Sequence, residues 1–159
     1  VVWSKTWLVV PLVIVACLSP VLIGYLAISH HLDLTILFMC ILIAIWIPLH
    51  VWSVMIANRE DYLQAGVCYF PVSREVKPVI KILLCLSLLL SAGAIALYFI
   101  GNFGWLYLGV AIVLSILMVY ANIRLIWTSA SLDAWKVYKL SAFPYLGLIF
   151  LAMCIDLLV

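Results

Sequence analysis

The sequence predicts an all-α, polytopic transmembrane helical bundle of five spans, and three observations predict it. Of 159 residues, 70% are hydrophobic and 9% charged, with a mean hydropathy of +1.38, whereas a soluble chain of this length needs a far more charged surface. The apolar residues fall into five runs, each of about 20 residues, the length at which a helix crosses the hydrocarbon core. Short polar connections separate the runs, and Lys and Arg occur at the amino end and in or beside alternate connections, with Lys81 just beyond one of them.

The first span, 6–28, follows Lys5 and contains Pro11 and Pro20, which membrane helices tolerate as bends. A secretory signal is the competing reading, through Ala27-Ile28-Ser29 as a cleavage site, but its apolar region is normally shorter. His30, His31 and Asp33 make a polar turn; adjacent histidines point in different directions, so they hold no metal without other ligands. The second span, 34–57, carries Trp46 and Trp52 towards its end. Residues 58–78 form the longest polar connection, with Arg59, Glu60, Asp61, Arg74, Glu75 and Lys77, and Gly66 and Pro71 as breakers. Its segment 65–71 is apolar enough to dock back on the bundle.

The third span, 79–100, turns tightly through Gly101-Asn102-Phe103-Gly104 into the fourth, 105–123, which Arg124 ends. A second polar connection, 127–139, with Asp133, Lys136 and Lys139, precedes the fifth span, 140–158, which has Asp156 near its far end. All eight Lys and Arg then lie on one side of the membrane, which the positive-inside rule makes cytoplasmic. That places the amino end and the connections 58–78 and 128–139 in the cytoplasm of a multi-pass cell-membrane protein, and the carboxyl end outside. Cys17, Cys40, Cys68, Cys85 and Cys154 stand singly, and the expectation is that they are buried as small hydrophobes.

The chain has no glycine-rich phosphate loop, G-x-S-x-G, H-E-x-x-H or C-x-x-C, and its few, dispersed basic residues give nucleic acid no footprint. Chemistry concentrates in 46–72, WIPLHVWSVMIANREDYLQAGVCYFPV. If the second span stays helical to Asp61, His50 and Asp61 differ by about 20° in azimuth and about 16 Å in height, with Trp46 about 40° from His50. That stripe suits a ligand with an anionic head at the membrane surface and a bulky body deeper in. Plain readings stand beside it: His50 bonding a neighbouring helix, Trp46 and Trp52 as interfacial anchors, and Arg59-Glu60-Asp61 as a solvated helix end.

The residues resemble a known family. Ile45-Trp46-Ile47-Pro48-Leu49-His50-Val51-Trp52, then Arg59-Glu60-Asp61-Tyr62, then Ala65-Gly66-Val67 and Phe70-Pro71-Val72, are similar to the second half of the protoheme IX farnesyltransferases, or haem O synthases, of the UbiA intramembrane prenyltransferase superfamily. Lys5-Thr6 and Ser141, Pro144 and Tyr145 extend the likeness to both ends. Ile47, Leu49, Ala57-Asn58 and Cys68-Tyr69 depart from the usual pattern, and the family's first aspartate-rich motif, N-x-x-x-D-x-x-x-D, is absent from these residues.

What the resemblance implies is the last five spans of a nine-span bundle, inactive by itself for want of the first motif. The whole enzyme would move a farnesyl group from farnesyl diphosphate to haem B, giving haem O, with haem A synthase or terminal-oxidase assembly machinery as partners. Asp61 and Glu60, helped by Asn58, would hold Mg²⁺ and carry catalysis, with Arg59 and Tyr62 also on the substrate. His50 would face the porphyrin, with Trp46 and Trp52 as an apolar wall. The alternatives are another UbiA-type prenyltransferase, acting on a quinone or lipid precursor, and a non-catalytic haem-binding membrane protein.

Overall fold

In the computed structural model the chain is all-helical over the described residues, which are 6–28, 31–66, 70–72 and 75–156, with backbone alone for 6–10 and 28. Lys5, His30, Cys68 and Arg74 lie outside them. Helices α1 (Thr6–Ile28), α2 (Leu34–Ala57), α4 (Val76–Gly101) and α5 (Trp105–Thr128) correspond to the first four expected spans, and a short helix, α3 (Arg59–Gln64), follows α2. The last span is composite: α6 (Ser131–Leu140), a widened π-type turn (Ser141–Tyr145) and α7 (Leu146–Asp156). Four helical stretches are long and apolar enough to cross a membrane, 34–57, 76–101, 105–128 and 131–156, with a shorter apolar stretch at 11–27.

Heptad spacing builds the core. Leu42, Leu49 and Ile56 of α2 face Leu83, Leu90 and Leu97 of α4, all buried, and α4 packs as extensively against Tyr107, Ala111, Leu114, Met118 and Leu125 of α5. Ser53, Ser87 and Ser91 turn their hydroxyls onto carbonyls three or four residues back in their own helices, so these three enter the bundle with their donors satisfied. Trp105 and Trp127, both 82% exposed, mark the two ends of α5. Twenty-two residues of helix put them about 33 Å apart, the thickness of a bilayer core between two aromatic belts.

The tight turn after α4 works because Asn102 takes a left-handed conformation, φ 50°, at the helix end. Gly104 matters for a different reason: a Cβ there would lie 2.8 Å from the Asp156 carboxylate, which instead accepts the Tyr107 N–H at 3.2 Å and caps α5 from another helix.

Two expectations need correcting. The second polar connection, expected over 127–139, is mostly helix, because α5 runs on to Thr128 and α6 begins at Ser131. Asp133 and Lys136, three residues apart, lie one turn apart on α6, and Asp133 is buried because Arg124, Lys136 and Thr128 all bind its carboxylate, at 3.2, 2.8 and 2.7 Å. The four described cysteines are not core residues either: Cys17, Cys85 and Cys154 are exposed and Cys40 half-buried. In a bilayer the outer face of a helix is as apolar as its core, so a small apolar side chain gains nothing by facing inward.

The helix order places the α3–α4 segment and the α5–α6 turn at one end of the bundle, and the α4–α5 turn at the other. In a background without native cysteines, Glu75→Cys and Ser129→Cys should therefore react with an impermeant thiol reagent from the same side, and Asn102→Cys from the opposite side.

Candidate functional site

Two polar features lie along the seam where α2 packs on α6, one at the end of the bundle and one deeper. The first is a cleft of about 270 Å³ lined by Ile56, Ala57, Asn58, Arg59, Glu60, Asp61, Val76, Ser129 and Ser131. It forms because α2 ends at Ala57 and the backbone turns at Asn58, φ −106° and ψ 27°, before α3 begins. Asn58 Nδ2 ties the turn to the Val54 carbonyl at 3.0 Å, and Glu60 and Asp61 stand in the first turn of α3, exposed at the cleft. Arg59 donates Nε–H to the Val72 carbonyl at 3.1 Å, pinning the returning loop, while Trp52 meets Phe70 edge-on with centroids 4.9 Å apart.

This break overturns the premise of a single helical stripe from His50 to Asp61. The two remain on one seam for another reason: α6 runs beside α2, with Ser131 at the cleft and Tyr138 beside His50. Along α2, Asn58 and His50 are about 12 Å apart, and along α6, Ser131 and Tyr138 about 10 Å.

The deeper feature is an aromatic and polar junction. The His50 ring is sandwiched between Trp46, at 4.8 Å and 14°, and Tyr138, at 4.7 Å and 27°. Its Nδ1 lies 3.0 Å from Ser141 Oγ, and the Trp46 indole N–H donates to the Ser141 carbonyl. That carbonyl opens the π-type turn, where the non-helical ψ of −130° at Ala142 carries the chain out of the regular helix ladder. The indole supplies a donor where the helix ladder is broken.

The structure thus brings Asn58, Arg59, Glu60 and Asp61 into one cleft, and Trp46 and His50 into one stack. Trp52 belongs to neither, since it holds the loop, and Tyr62, half-buried on α3, is not among the residues lining the cleft. Sequence reasoning missed Ser129, Ser131, Tyr138 and the pairing role of Ser141. The i, i+3 pair Asp133–Lys136 was the available signal that a helix, and so a second wall, begins near 131. Among the described residues no group of three or more His, Cys, Asp or Glu is placed to hold a metal ion.

Residues 2–152 match the UbiA prenyltransferase family. The chain is 31% identical over 137 residues to the protoheme IX farnesyltransferase of Desulforudis audaxviator, covering 86% of this chain and 43% of that protein. It is 36% identical over 140 residues to the protein of that name from Symbiobacterium thermophilum, covering 87% and 47%. To protoheme IX farnesyltransferase 1 of Cenarchaeum symbiosum it is 37% identical over 133 residues, covering 84% and 44%. The chain spans about half the length of these curated relatives. No solved structure matches it.

Because the indole is the side-chain donor to the Ser141 carbonyl, Trp46→Phe should keep the stack on His50 yet lower unfolding free energy in detergent by about 1 kcal/mol. Trp105→Phe, on the outer face, should leave it unchanged.

Proposed function

The chain belongs to the UbiA prenyltransferase family, and from that premise we propose that it takes part in moving a farnesyl group from farnesyl diphosphate to haem B, giving haem O. The cleft at the α2–α3 break receives the diphosphate, and the Trp46–His50 junction lies on the acceptor side. The observation that carries this reading is the position of Glu60 and Asp61: two adjacent carboxylates, in the first turn of a helix, lining one cleft with Ser129 of the α5–α6 turn and Ser131 of α6. The names of the curated relatives support the donor and acceptor.

Two carboxylates facing a diphosphate would repel it, so the pair makes sense only with a cation between. Carboxylates are the hard oxygen donors Mg²⁺ prefers, and Mg²⁺ is commonly held by one or two of them together with substrate phosphates, so a set too small to hold an ion alone fits the role. When bound, Mg²⁺ neutralises charge on the diphosphate as it leaves. Asp61 and Glu60 hold and orient that head, Asn58 fixes the turn that presents them, and Arg59 offers the guanidinium nitrogens left over from its bond to Val72. The prenyl chain follows the apolar α2–α6 seam inward, away from water that would intercept a reactive allylic centre.

Arg59, Lys77, Lys81, Arg124 and Lys136 lie within about two helical turns of the cleft end of the bundle. By the positive-inside rule that end is cytoplasmic, and the donor enters from there, in the cell membrane.

The two ends of the seam fail differently when mutated. In a complete enzyme containing these residues, Asp61→Asn keeps the shape but removes charge, and should lower prenyl transfer by at least about 100-fold, the scale of losing one electrostatic stabiliser. Haem binding should survive. His50→Ala should alter haem affinity or its absorption spectrum while Mg²⁺-dependent binding of an unreactive diphosphate analogue stays near normal. Titrating both variants with both ligands measures the separation; identical losses in the two would argue for a purely structural seam.

A further inference from the structure

We infer that Ser141 fixes His50 in the tautomer that carries its proton on Nδ1 and leaves the lone pair on Nε2. The argument is one of proton counting. Ser141 Oγ has two polar contacts, the Tyr138 carbonyl at 2.9 Å and His50 Nδ1 at 3.0 Å. A hydroxyl has one proton, and a carbonyl oxygen has none to give. With the Ser141 proton spent on the Tyr138 carbonyl, Oγ can only accept from its other neighbour, so Nδ1 is the donor. In a neutral ring Nε2 is then unprotonated.

The junction also bears on that lone pair. Trp46 and Tyr138 both stack on the ring and Ser141 takes the Nδ1 edge, so the Nε2 edge is the one that these three contacts leave unused. A ring held on three sides cannot flip to exchange its nitrogens without parting the α2–α6 contact. His50 is thus a fixed electron-pair donor, suited to a hydrogen-bond donor or to a metal centre, and not a freely rotating base. Ser141 acts through His50 as a positioning residue. That Nε2 meets the prenyl acceptor rests on the function proposed above; the tautomer itself does not.

The test reads the tautomer without turnover. The full chain, labelled with ¹⁵N-histidine and placed in lipid nanodiscs, is studied by NMR at a pH where the ring is neutral, and His50 is assigned by the signal lost in His50→Gln. The expected result is a protonated-type Nδ1 and an unprotonated-type Nε2. Ser141→Ala, which removes the acceptor, should shift the proton towards Nε2, and Ser141→Thr, which keeps an Oγ, should restore Nδ1–H. Where Ser141→Ala does not fold, Ser141→Cys, with its weaker acceptor, is read in the same way. A proton on Nε2 in the parent chain overturns the inference, as does a proton that stays on Nδ1 when Oγ is removed. A complete enzyme that showed the expected tautomer yet bound haem unchanged in His50→Ala would keep this inference and lose the acceptor role.

Discussion

A carbonyl set free inside an apolar bundle has to find a donor, and in this chain that of Ser141, at the start of the kinked turn, finds the indole of Trp46. In water such a group would be solvated at little cost; between packed helices it would be left bare, at a cost of one to several kcal/mol, or about that order. The bond therefore joins two parts of the sequence 95 positions apart. Once Trp46 is held against the turn between α6 and α7, the residue one helical turn on, His50, falls between Trp46 and Tyr138, and α2 and α6 are locked in register. Both the seam and the cleft at its end follow from that alignment.

Seen from the seam, the chemistry divides by depth. At the bundle's end the backbone turns at Asn58, offering exposed carboxylates and serines around a small cleft. About 12 Å further in, the polar contacts run indole to carbonyl, imidazole Nδ1 to hydroxyl, and hydroxyl to carbonyl. The function proposed for the site needs both a charged leaving group and an oily chain handled in one reaction, and a seam graded from wet to dry along one helix pair suits that proposal.

Much of this was legible in the sequence, and the failures have physical causes. Spans were readable because a bilayer permits only long apolar helices, so 34–57 and the turn at 101–104 could be placed from composition and glycine alone. The cluster Asn58–Asp61 stood out because charge at the end of an apolar run is rare. Helix α6 was misjudged because three charges in thirteen residues look like a loop, and only Asp133's burial against Arg124, Lys136 and Thr128 explains how a charged segment packs. The break at Asn58 leaves no mark in the apolar pattern, since α3 is too short to show a period. Trp52 looked like the twin of Trp46, yet a ring six residues further along the helix points elsewhere and closes on Phe70. Tyr138 and Ser141 could not be paired with His50 from sequence at all, because about ninety residues separate them and no local spacing encodes a contact between α2 and the kinked last span.

The central claim is that the cleft at the α2–α3 break receives the diphosphate while the seam leads the prenyl chain towards His50. The most direct measurement is an experimental structure of the complete enzyme containing these residues, in lipid, with Mg²⁺ and an unreactive farnesyl diphosphate analogue. The diphosphate should lie against Glu60 and Asp61, opposite Ser129 and Ser131, with the chain running inward along α2 and α6. A diphosphate seated instead on the groove of Leu132, Trp135, Lys136 and Lys139, with Glu60 and Asp61 free of both phosphate and metal, would contradict it.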